Sequence, residues 1–136
     1  MLCQIWHNTH VSKPEHLKDV EWVGSSKDDL SAFPAAVKRN IGSALYEAQK
    51  GGKPLSAKPL SGFNGAGVVE VIEDHKGDTY RAVYTVRFIT AIYVLHAFKK
   101  KAKKGIETPK HDIDVIKQRL KTAEECHQRK VRGART

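Results

Sequence analysis

From Val68 to Phe98 the chain reads VVEVIEDHKGDTYRAVYTVRFITAIYVLHAF, three β-branched and aromatic segments separated by short turns. Val68–Glu73, Thr79–Phe88 and Ala91–Phe98 are therefore predicted strands. A parallel pair needs a crossover of about a dozen residues or more, so these connections imply an antiparallel meander. In a regular middle strand Tyr80, Ala82, Tyr84, Val86 and Phe88 share one face, with Thr79, Arg81, Val83, Thr85 and Arg87 on the other. The tyrosines then belong to the core. Arg81 and Arg87 project together, roughly 20 Å apart at about 3.3 Å per residue. In the third strand His96 is expected on the face of Ile92, Val94 and Phe98.

The flanking segments supply helices. Lys18–Gly24 alternates as a short strand, and Ser25 or Ser26 caps a helix with Asp28 and Asp29 in its first turn. Pro34 restarts the helix. Val37, Ile41, Ala44, Leu45 and Ala48 recur at helical spacing until Gly51-Gly52 ends it. Residues 53–67 are rich in Pro, Ser and Gly and read as a surface loop. Thr108-Pro109 opens a last helix, whose stripe of Ile113, Ile116, Leu120 and Ala123 suits packing on the sheet. The expected fold class is α+β, with N-terminal helices on a twisted antiparallel sheet and a C-terminal helix. The expected organisation is an extension over 1–17, one domain over 18–126, and a mobile basic tail over 127–136.

A chain of 136 residues can bury a core without staples, and no apolar run approaches the ~20 residues of a membrane span. The N-terminus does not read as a secretory signal, so the expected compartment is the cytoplasm. There Cys3 and Cys126 are expected to stay thiols. With His7, His10 and His127 they lack the spacing of a zinc site, so neither metal nor other cofactor is expected. The net charge of +9 favours a polyanionic partner, nucleic acid or an acidic protein, over a membrane.

Five lysines, Lys99, Lys100, Lys101, Lys103 and Lys104, follow directly on the third strand. Held by a rigid element, such ammonium groups can bind phosphates and stabilise charge on a phosphorane; as a solvated run they only guard a strand end. Arg81 and Arg87 beside Thr85 suggest an open basic surface. The alternative pairs each with a carboxylate such as Glu70 or Glu73. His96, or a lysine whose pKa its cationic neighbours lower, is the candidate general base, and for His96 the alternative is a hydrogen-bonded core histidine.

The segments WVGSSKDDLSAFP, KPL with a Gly-containing loop, TYRAVYTVRF, YVLHAFKKKAKKG and TPK, in this order, resemble the phage-related HigB-type toxins of the RelE/ParE superfamily from about Val20 to Ala123. The resemblance implies the toxin of a type II toxin–antitoxin system. Such a toxin is a metal-independent, ribosome-dependent mRNA endoribonuclease, restrained by a helix-turn-helix antitoxin. By position it assigns catalysis to Arg81, Lys100 and Lys101. The implied reaction is attack of a ribose 2′-hydroxyl on the adjacent phosphate. Lys104 matches a further basic position, and Arg87, Lys99 and Lys103 add charge for nucleic acid. Relatives often carry a cation on the preceding strand, where this chain has Val69-Glu70-Val71. The rival readings are a ParE-like topoisomerase inhibitor and a non-catalytic nucleic-acid-binding module.

Overall fold

The computed structural model describes residues 17–52, 57–63, 67–101 and 108–134, together with the strand at 5–7, the side chains at 5–7, 101 and 134 excepted. In chain order the elements are β1 (Ile5–His7), β2 (Asp19–Val23), α1 (Ser26–Ser31), α2 (Ala35–Gln49), β3 (Ala57–Pro59), β4 (Val68–His75), β5 (Asp78–Thr85), β6 (Ala91–Lys101) and α3 (Lys110–Ala134). The strands form one six-stranded sheet in the order β1-β2-β6-β5-β4-β3. As the short turns required, β4, β5 and β6 are an antiparallel meander. β2 runs parallel to β6, which the long intervening chain permits.

Helices cover both faces. The predicted α2 stripe of Val37, Ile41, Ala44, Leu45 and Ala48 is buried with Val71, Ala82, Tyr80, Tyr84, Ile92 and Val94. On the opposite face α3 buries Ile116, Leu120 and Ala123 against Val83, Tyr93, Leu95 and Phe98. Each fully buried Ile or Leu contributes about 1.5–3 kcal/mol by leaving water. β5 lies between β4 and β6 beneath both helix layers, and it is buried from Thr79 to Thr85. A polar side chain on β5 therefore enters the interior unless something opens above it.

Several expectations are corrected. The pairing of β5 with β6 steps from Val83↔His96 to Tyr84↔Val94, so Leu95 is an extra residue in a bulge. A bulge reverses the alternation beyond it. Ile92 and Val94 face α2, whereas His96 and Phe98 face α3 with Leu95. β5 stops at Thr85, and Phe88 joins the core beneath α3 instead of sharing a face with Tyr80 and Tyr84. The surface loop contains β3, whose Ala57, Lys58 and Pro59 pair with Val71, Glu70 and Val69.

The C-terminal segment is also no tail, because α3 continues to Ala134. Lys130 Nζ lies 2.7 Å from Glu21 Oε2 and His127 packs on Phe88 with ring centroids 4.3 Å apart, which ties the helix to the sheet. Cys126 is buried and disulfide-bonded, not the thiol expected; the other cysteine, Cys3, lies outside the described residues.

Candidate nucleic-acid cleft

Four neighbouring strands bring polar groups to the face beneath the start of α3. Lys58 of β3 stands directly across from Glu70 of β4. On β5, Arg81 lies two residues from Val83, the partner of Glu70. On β6, Lys100 pairs with Thr79 and shares this face, since Arg81 pairs with Phe98. Alternation thus places Glu70, Arg81 and Lys100 on one side of the sheet.

Arg81 is not on an open surface. It is 2% exposed, and its Nη1 donates to Glu70 Oε2 at 3.4 Å and to Thr108 Oγ1 at 3.1 Å. The expected basic binding surface is replaced at this position by the alternative, a pair with Glu70. The Thr108 hydroxyl also hydrogen-bonds the Glu70 carboxylate, so the strand face and the entry to α3 are locked together. Arg81 Nε is buried with no hydrogen-bond partner among the described residues.

Above this floor lies a cavity of ≈ 570 Å³, whose lining includes Lys58, Leu60, Glu70, Thr108, Ile113 and Lys117. Two of its walls are cationic, and Glu70 is the lone carboxylate among the described lining residues. Burial pushes the Glu70 carboxyl above its ordinary pKa. The charges of Arg81, Lys58 and Lys100 and the Thr108 hydrogen bond oppose that shift without cancelling it. The arrangement offers an anion cations at the rim and a proton acceptor at the base.

The remaining candidates separate. Lys99 turns to the other face, 3.1 Å from Asp78 Oδ2 and over the Tyr80 ring. Arg87 lies beyond the end of β5, 2.7 Å from Glu124 Oε2 of α3 and over the Phe88 ring, so it too is paired. The Lys101 side chain, Lys103 and Lys104 lie outside the described residues. His96 is engaged at both ring nitrogens: Nε2 is 2.8 Å from Asp112 Oδ1, and Nδ1 is 3.4 Å from Arg119 Nη1. Burial lowers its pKa against the pull of Asp112, so it clamps β6 to α3 as a neutral ring and is not free to act as a base.

Sequence reasoning missed Lys58, Lys117 and Thr108 as lining residues, and took Glu70 only for a salt-bridge partner. Lys58 and Lys117 carry no local signal, because long-range pairing and helix docking bring them here. Glu70 did carry one: a single carboxylate in the apolar run VVEVI, on a strand covered on both faces.

Among the described residues no helix is long and apolar enough to cross a membrane, and no group of three His, Cys, Asp or Glu could hold a metal ion. Fold and cleft together define an α+β domain with a basic hollow at one end of its central sheet. Residues 28–121 match the family described as Phage derived protein Gp49-like (DUF891), and the chain belongs to this family, one of RelE/toxin-type proteins. The match begins in α1 and ends within α3, so it spans every described residue around the cavity. No curated protein and no solved structure matches the chain.

Proposed function

We propose that the protein is the toxin of a type II toxin–antitoxin pair and cuts mRNA on the ribosome without a metal, in the manner of HigB-type members of the RelE/ParE superfamily. The observation that carries this reading is the cavity itself. Lys58 and Lys117 stand at its walls, Lys100 lies near its floor, and Glu70, Arg81 and Thr108 form a fixed polar base. In this reading the lysines hold the phosphates of a single-stranded stretch, and Lys101, Lys103 and Lys104 extend the same charge along the chain. Lys100 offsets charge at the reacting phosphate. Arg81, locked to Glu70, fixes the base of the site and lends its field. The ribosome positions the transcript, and a helix-turn-helix antitoxin restrains the toxin.

Induction followed by transcript-end mapping tests this. New internal mRNA ends should precede any DNA-damage response. The exposed-rim variant Lys58→Ala/Lys117→Ala, which changes stability by at most ~0.5 kcal/mol per site, should lose both the ends and the growth arrest. One observation favours a second reading: Arg81 is neutralised by Glu70, as suits a ParE-like inhibitor that meets a topoisomerase and cuts nothing. Growth arrest with a DNA-damage response and intact transcripts selects that reading instead.

A further inference from the structure

Cleavage through a ribose 2′-hydroxyl needs a group to take its proton, and among the described residues around the cavity the candidates reduce to one. His96 has both ring nitrogens engaged. Asp112 is held by His96 at 2.8 Å. An ammonium group has donors only and accepts no proton. Glu70 is a carboxylate in the cavity lining, oriented by Arg81 and by Thr108. We infer that Glu70 is the general base of this site, accepting the proton of a 2′-hydroxyl seated in the cavity. The inference rests on the ribonuclease reading and gives it the residue it lacks.

Glu70 takes the 2′ proton while the 2′ oxygen bonds to phosphorus and the bond from phosphorus to the 5′ oxygen breaks. The departing oxygen receives a proton from a rim ammonium, Lys58 or Lys117, which water replenishes as Glu70 returns its own. The products are a 2′,3′-cyclic phosphate and a 5′-hydroxyl. Burial suits Glu70 to this work, because a carboxylate raised above its ordinary pKa is a stronger base than an exposed one. The charged groups facing it are Arg81 from β5, Lys58 from β3 and Lys100 from β6, all of which favour its ionised form. The hydroxyl at the entry to α3, Thr108, does the same, and Lys117 of α3 lines the cavity beside it.

The test compares wild type, Glu70→Gln and Thr108→Val on a defined mRNA in a translating extract, measuring kcat and KM across pH. Glu70→Gln should lower kcat about 10²–10⁴-fold with KM nearly unchanged. Thr108→Val removes a hydrogen bond that favours the carboxylate, so the acid limb of its kcat profile should move to higher pH. A purely structural Glu70–Arg81 pair would not move that limb. Wild-type kcat in Glu70→Gln, or an acid limb unmoved in Thr108→Val, overturns the inference and leaves the ribonuclease reading standing. Should Glu70→Gln fail to fold, the Thr108→Val profile decides alone. Wild type that cuts no RNA on translating ribosomes removes the ribonuclease reading and this inference together.

Discussion

Arg81 is the residue on which stability and chemistry meet. Removing one partner of a buried ion pair leaves the other charge uncompensated in low dielectric. Arg81→Ala should therefore destabilise the fold by about 3–5 kcal/mol. Glu70→Leu combined with Arg81→Met, of similar shape and without charge, should recover most of that loss. Urea denaturation of the single and double variants checks both, and a double-variant loss equal to the sum of the single losses would mean that the pair is not coupled. Loss of toxicity in Arg81→Ala alone therefore says little about catalysis. The sequence identified this arginine and named Glu70 as its alternative partner. What it could not show was α3 closing over the face, because that depends on where a helix some thirty residues later docks. His96 was misplaced for a smaller reason: one bulged residue, Leu95, inverts every facing assignment after it.

At the scale of elements, the β4–β5 hairpin turns through Lys76 and Gly77 with φ of 49° and 84°. These angles suit a type I′ turn, which matches strand twist and favours Asn-Gly. Lysine in that left-handed region costs about 1–2 kcal/mol, so Lys76→Asn should stabilise by up to ~1 kcal/mol and Gly77→Ala should destabilise by about as much. Chemical denaturation with an unchanged m value checks the pair; stabilisation by Gly77→Ala would contradict the turn assignment. Helices α1 and α2 and the three meander strands were legible because local periodicity and punctuation determine them. β3 was not, since three residues in a Pro-rich loop become a strand only by pairing with β4. The end of α3 was misjudged because QRKVRGA has no apolar stripe. Among its anchors are individual contacts such as Lys130 to Glu21 and His127 to Phe88.

For the whole molecule, two helix layers on one sheet bury ionisable groups whose protons couple to folding. Burial lowers the pKa of both His96 and His127, with Lys130 and Arg87 adding to the effect at His127. A histidine held neutral in the folded state contributes its stability above its unfolded pKa of about 6.5, and that stability is lost as pH falls through this value. Glu70 has the opposite sign, its raised pKa costing stability as pH rises through the folded value. Stability should thus decline from pH 7 towards pH 5, and the His96→Gln/His127→Gln variant should show a flatter decline. An unchanged slope would mean that neither ring titrates differently in the folded chain. The excess of positive charge, +9, was legible from composition and pointed to a polyanion. Its concentration around one cavity came only from the assembly of β3, β4, β6 and α3.

The chemistry of the cut ends tests the central claim most directly. Transcripts collected shortly after induction and sorted by end group should gain internal 5′-hydroxyl ends paired with 2′,3′-cyclic phosphates, and the Lys58→Ala/Lys117→Ala variant should produce none. New ends carrying 5′-phosphates, or growth arrest with no new ends, would contradict a cavity that activates the ribose hydroxyl.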